Sequence, residues 1–447
     1  MTRKLIIYLF IIALGYFIVF KFAYKALENE RVYTSLFSSF MPTYENQNGA
    51  IYHVNKPFSK ISEAGYEIMD AAHYAYIKNN LYTVDPNDTE TNFNYGFFPL
   101  FPIIWKFFSG LGIITLNFFL HFAAIVLLAF TFCRNKIIIA VITVIALPTL
   151  TVFLLPYTEA LFMFTISLAL YGYKEKNTPL YIIGLALSSA TRPVFLLFLV
   201  TLFVTEIFQY LRNKKTDRMH ILISSGTVTL VTLLVSLFQS FFHKGSLFTF
   251  MSVQKHWGTF FRIPETINDW SMEGYGMNVW ALLFCFVFGT AVLVSTLVKK
   301  SKIESNFDYW YYFSWVYLIS TCLYVLFFQG GCLHSLYRYT LCSPFFYVIL
   351  FQHINSQEAV PSRFFVILSI LFFIACIIFL RLIGYGQQLD FSKLGFVLLT
   401  INLLLYIIKS KLSDRYRYIG YCSLILCGIF WNCYLYNMFF SKAWIFL

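Results

Sequence analysis

The sequence predicts an all-α, polytopic integral membrane protein, and three observations carry that reading. Charged residues make up 12% of the 447 residues and hydrophobic residues 59%, with a mean hydropathy of +0.68. A soluble domain carries about 25% charged residues. Apolar runs near the length of a bilayer span, about 20 residues, recur from end to end. Lys and Arg fall in short clusters between those runs, the pattern that orients helices in a membrane. An outer-membrane barrel would need alternating apolar and polar residues instead. The net charge of +12 therefore reflects orientation, and nucleic acid is not an expected partner. The whole chain, 1–447, reads as one membrane-embedded domain.

Taken in order, Arg3 and Lys4 precede a first span over residues 5–24 and place the N-terminus in the cytoplasm. No small-residue cleavage site follows, so this span is retained. A long polar loop, 25–110, then lies outside: periplasmic or extracellular in a bacterium, lumenal in a eukaryote. Within it Tyr66, Met69, His73, Tyr74 and Ile77 recur at helical spacing, as on a helix lying along the membrane surface. A span follows at 111–131, and Arg134-Asn135-Lys136 returns inside. The next run reaches Pro156-Tyr157-Thr158-Glu159 outside, and Lys174-Glu175-Lys176 is inside again. The stretch 179–210 is too long for one span and short for two. Thr191-Arg192-Pro193 breaks it, because proline ends a regular helix and disfavours helix at the residue before it. Two short helices with Arg192 at their outer turn are expected.

A second outer loop, 243–277, carries Gln254-Lys255-His256-Trp257 and Arg262-Ile263-Pro264. Further basic groups at Arg212 to Arg218, the most basic cluster, and at Lys299 to Lys302, Arg363, and Lys409 to Arg417 fall inside. Alternation across seven basic clusters gives about 13 spans. The nine cysteines lie mostly in apolar runs without C-x-x-C spacing, as buried small hydrophobes do.

On this topology Asp70, His73, Glu159, Arg192, Lys255, His256, Arg262, His334 and Arg338 share the outer face. Ionisable groups at membrane depth are functional hypotheses, and each has a plainer alternative. Asp70 is either on the polar face of a surface helix or a general base that takes a proton from a hydroxyl. Glu159 is either a partner of its helix dipole or an orienting group for Arg192. Arg192 and Arg338 either snorkel to the interface or bind phosphate, which suits a guanidinium. Trp257, Tyr74 and Tyr157 are candidate rings for stacking on sugar faces. No P-loop, dinucleotide fingerprint or H-E-x-x-H is present. No metal or cofactor is called for. An outward-facing transferase has no nucleotide-sugar pool, so a sugar donor would be lipid-linked.

Four strings in this order resemble the PIG-V family of GT-C glycosyltransferases, which comprises GPI mannosyltransferase 2 and its bacterial relatives. They are Asp70-Ala71-Ala72-His73-Tyr74, Phe97-Phe98-Pro99-Leu100-Phe101-Pro102, Pro156-Tyr157-Thr158-Glu159-Ala160-Leu161-Phe162, and Thr191-Arg192-Pro193. They cover about the first half of the chain; Arg338-Tyr339 and Pro344 extend the likeness loosely. Met69 stands where the family has Trp, and Leu81-Tyr82 where it often has Gly-Tyr. The resemblance implies a GT-C-like fold and inverting transfer of mannose, or another hexose, from a polyprenyl or dolichyl phosphate sugar. It makes Asp70 the base. His73, Tyr74, Glu159, Arg192, His256, Trp257 and Arg338 are the expected substrate-binding residues. The acceptor is a glycan or glycolipid, and membrane lipids are the surroundings. The enzyme would sit in the inner membrane of a bacterium or the endoplasmic reticulum of a eukaryote. A transporter or flippase, or a polymerase or ligase of lipid-linked glycans, are the rival readings.

Overall fold

The computed structural model describes residues 3–29, 43–45, 51–53, 61–84, 89–145, 147–213, 217–242, 247–268, 275–299 and 308–355, with helical positions between 422 and 440. The expected clusters at Arg363 and at Lys409 to Arg417 lie outside the described residues. Six described helices are long and apolar enough to cross a membrane. They are Leu5–Leu27, within α1 (Arg3–Leu27), and Gly110–Phe132, Phe195–Arg212, Arg218–Ser240, Met277–Val298 and Tyr309–Phe328. The remaining described helices are shorter.

A small antiparallel pair, β1 (Thr43–Glu45) and β2 (Ile51–His53), opens the first loop. The surface helix begins later than its periodicity suggests. A 3-10 turn spans Glu63–Tyr66, and Met69 adopts φ 53 before α2 (Asp70–Asn80) starts. An L side chain takes such a φ at a cost of roughly 1–2 kcal/mol. The helix also faces inward, burying Ala71, Tyr74, Ala75 and Ile77. The loop is tied down at both sides. Glu63 Oε2 accepts from Gly110 N at 2.7 Å, at the positive end of α4 (Gly110–Phe132). Gln239 Nε2 donates to Tyr95 O at 3.0 Å. Between these anchors lies the short helix α3 (Leu100–Trp105).

The run after α4 was expected to be one span. It forms α5 (Ile137–Ile145) and then a 3-10 stretch, Pro148–Leu154. The proline supplies the break, since it has no N–H to continue an α-helix. Next come α6 (Glu159–Lys174) and α7 (Thr178–Thr191), packed closely along each other, with α4 against α6. α8 (Phe195–Asn213) and α9 (Arg218–Ser240) follow. The break at Arg192 is as expected, with the residue extended at φ −145, ψ 146.

The second loop forms α10 (Thr249–Val253) and a 3-10 turn, Gln254–Trp257. Its extended tail bonds to the end of a later helix, Arg262 N donating to Phe327 O at 2.8 Å. α11 (Tyr275–Leu282) and α12 (Gly289–Lys299) are joined by a π-helical stretch, Leu283–Phe288. α13 (Tyr309–Phe328), α14 (Leu336–Thr340) and α15 (Pro344–Asn355) complete the described bundle. Near the C-terminus, Asn432 Nδ2 donates to Tyr16 OH at 3.2 Å, and its Oδ1 accepts from Thr151, which docks that segment between α1 and the 3-10 stretch.

Basic groups collect at one end of this bundle. Lys174 pairs with Asp308, Lys136 Nζ donates to Ile354 O at 2.8 Å, and the Arg212 guanidinium lies 4.8 Å from the Tyr312 ring. The acidic residue of α2 sits at the other end, beside the start of α6 and the end of α7.

Candidate functional site

Four motifs distant in sequence meet here. Asp70 opens α2. Glu159 opens α6, following a turn that a buried side chain holds: Asn117 Nδ2, on α4, donates to Leu155 O at 2.6 Å and to Tyr157 O at 3.0 Å. Arg192 occupies the break between α7 and α8. Arg338 lies on α14, which a tight loop returns toward the bundle. Gly330 and Gly331 in that loop have φ 63 and 87. A Cβ on Gly331 would come within 2.0 Å of Thr266 O, so glycine is needed there. Asn278 Oδ1 then accepts from Tyr337 N at 2.8 Å and fixes α14.

The four charges form one ladder. Arg338 Nη1 donates to Asp70 Oδ2 at 2.7 Å. Arg338 Nε donates to Glu159 Oε1. The same oxygen accepts from Arg192 Nη1 at 3.1 Å. Two carboxylates thus balance two guanidiniums, with Glu159 at the centre. The side chains of Glu159 and Arg338 are 1% and 3% exposed, those of Arg192 and Asp70 14% and 22%. Burial on this scale requires pairing. Aromatic rings wall the ladder: Tyr157 lies 4.3 Å from the Arg338 guanidinium, and Tyr339 5.5 Å from that of Arg192. Arg192 spends one nitrogen on Glu159, and no other hydrogen bond from its guanidinium is found among the described residues. Oε2 of Glu159 likewise has no partner among them.

His73, one turn after Asp70, stays off the ladder. Its Nδ1 is 2.9 Å from Asn94 Oδ1, and its ring stacks on Phe97 at 4.5 Å. Trp257 arrives from the second loop, 5.7 Å from Phe97 and 6.2 Å from His73. Gly96 makes room for it, because a Cβ there would lie 2.6 Å from the indole. Of the three rings considered for stacking, Trp257 is 42% exposed, whereas Tyr74 and Tyr157 are 5% and 0% exposed. Tyr74 instead places its hydroxyl 3.4 Å from Thr158 Oγ1. Burial, reinforced by Asp70 and Glu159, pushes that hydroxyl well above the usual tyrosine range. Burial also pulls the His334 imidazole down to about 4, with Asp70 opposing and Arg338 adding to the effect. The side chain of His256 lies outside the described part of the structure. Lys255 is exposed, and Arg262 is turned to the loop, its Nη2 donating to Gln329 O at 3.1 Å.

Sequence reasoning missed Asn117 and Asn94, and it named Tyr339 only beside Arg338, without a role. Asn117 had a signal: a lone amide inside an apolar span is costly unless it has work to do. Asn94 sits among polar neighbours and had none. A second buried polar group was also missed, at the basic end. His220 Nδ1 lies 3.7 Å from Glu206 Oε1, and Nε2 lies 2.9 Å from Tyr181 OH, which reaches Ser224 Oγ at 2.6 Å.

Comparison of the chain with models of known families, with curated proteins and with solved structures gives no match.

Proposed function

We propose that this membrane protein is a PIG-V-like, GT-C-class glycosyltransferase. In this reading it moves a mannosyl or other hexosyl residue from a polyprenyl or dolichyl phosphate sugar to a glycolipid or glycan acceptor. The reaction runs at the periplasmic, extracellular or lumenal face. One observation carries the proposal: the acid and the cations of separate short motifs, up to 268 residues apart, join in a single ladder. That ladder lies at the bundle end opposite the basic clusters, which the positive-inside rule puts in the cytoplasm.

The chemistry follows from the charges. The acceptor oxygen attacks the anomeric carbon as the bond from that carbon to the phosphate oxygen breaks. The acceptor's proton passes to the Asp70 carboxylate. The departing lipid phosphate keeps the electron pair of the broken bond, and Arg192 offers donors to the charge that develops. Glu159 aims both guanidiniums. Trp257 offers an apolar ring face of the kind that sugars stack on.

The test is incubation of the purified protein with polyprenyl phosphate mannose and a panel of acceptors, scoring release of polyprenyl phosphate. Transfer is expected in the wild type, and Asp70→Asn, which keeps size and removes basicity, should lower it by roughly 100-fold or more. An Asn variant with near wild-type turnover removes Asp70 from the mechanism. The buried Glu206–His220–Tyr181 group at the opposite end favours a second reading, a transporter or flippase of lipid-linked glycans with polar residues towards both leaflets. Movement of a labelled glycolipid across vesicles without any release of polyprenyl phosphate would select it. Products extended by whole glycans would select a polymerase or ligase.

A further inference from the structure

The ladder satisfies itself, and that poses a problem for any phosphate that is to be held there. Arg338 has both its Nε and its Nη1 occupied by carboxylates, and its side chain is 3% exposed. The carboxylate meant to act as base is one of those occupants. While that contact holds, Oδ2 of Asp70 faces the Arg338 guanidinium and not an acceptor hydroxyl. The two acids are not equivalent, however. Glu159 is 1% exposed and held by both arginines through one oxygen. Asp70 is 22% exposed, has one guanidinium contact through Oδ2, and stands in the first turn of α2 at the edge of the cluster. Asp70 is therefore the member that an incoming anion can displace.

We propose that the donor's phosphate takes the place of the Asp70 carboxylate on Arg338, so that one event fills the phosphate site and frees the base. This rests on the lipid-phosphate-sugar reading above and adds its regulation. Anion replaces anion, Glu159 keeps its position, and the phosphate bridges Arg338 Nη1 and the open side of Arg192. Binding becomes ordered, donor before acceptor. Until the donor arrives, the Asp70 carboxylate stays on Arg338. The occupant is a phosphate ester on an isoprenoid chain, recognised by two guanidiniums.

The experiment measures binding of farnesyl phosphate to the full-length protein in detergent, with farnesol as the phosphate-free control. If Asp70 competes for Arg338, Asp70→Asn binds farnesyl phosphate about tenfold tighter than the wild type, the scale of losing one charged competitor. Farnesol binding does not change. In the Arg338→Gln background the Asp70→Asn gain disappears. Equal or weaker farnesyl phosphate binding in Asp70→Asn overturns the exchange while leaving phosphate recognition in place. A gain shared by farnesol also overturns it. No saturable binding in any form overturns the lipid-phosphate reading together with the exchange. Should Asp70→Asn fold poorly, the wild type supplies the answer. Carbodiimide labelling of Asp70, read by peptide mass spectrometry, rises when farnesyl phosphate is added if the carboxylate leaves Arg338. Unchanged or reduced labelling overturns the exchange.

Discussion

At Arg192, charge and shape are separable. The side chain is 14% exposed and bonds Glu159 through Nη1 at 3.1 Å, leaving its other nitrogens for a ligand. Arg192→Lys keeps the charge and loses the planar fork. Donor use should fall about tenfold, acceptor dependence should change little, and Arg192→Ala should fall further. Lysine snorkels as well as arginine does, so a Lys variant with unaltered donor kinetics would move the phosphate site to Arg338 or the Lys255–His256 pair. His334 makes a different, pH-dependent forecast. Its imidazole is pulled from 6.5 to about 4, mainly by burial. Between those values the unfolded chain binds the proton and the folded one does not, so stability declines as pH falls through that window. Below it the penalty is complete; above it there is none. Melting in detergent from pH 7 to 4 should show this decline, and His334→Asn should flatten part of it. An identical slope in the variant would assign the acid sensitivity to other groups.

The α6–α7 hairpin sets the separation between Glu159 and Arg192, because one opens it and the other follows its end. Small residues let the helices approach. A Cβ on Gly184 would lie 2.4 Å from Ala169 N and 2.8 Å from Thr165 O. Gly184→Leu should therefore force the helices apart at a cost of about 1–3 kcal/mol, lowering both the melting temperature and any transfer activity. Gly226, on α9, has no atom within 4 Å of the corresponding point, so Gly226→Leu is the control that should change neither. Equal tolerance at both positions would mean that the hairpin's spacing does not position the site. The sequence made the break before α8 readable, through Thr191-Arg192-Pro193, and a helix around Asp70, though not where that helix starts. It did not reveal that residues 137–154 split into α5 and a 3-10 stretch, or that a π-helical stretch separates α11 from α12. Hydropathy averages over such local changes of winding.

For the whole molecule, sidedness is the prediction with the widest consequences. Asn80, at the end of α2, and Glu175, after α6, are exposed and lie at opposite ends of the bundle. In intact cells a membrane-impermeant thiol reagent should label a cysteine at Asn80, whereas one at Glu175 should need permeabilisation. Labelling at Glu175 in sealed cells inverts the topology and removes the reason for a lipid-linked donor. The membrane class followed from composition and charge spacing by themselves, because hydrophobic runs and basic clusters are local properties of the chain. So did the choice of Asp70, Glu159 and Arg192 as residues to watch. Which charge meets which was decided only in three dimensions. Arg338 reaches Asp70 because α14 is turned back by Gly330 and Gly331 and fixed by Asn278. An ion pair between residues 268 positions apart leaves no periodicity in the sequence; it depends on helix packing, which depends on every element at once.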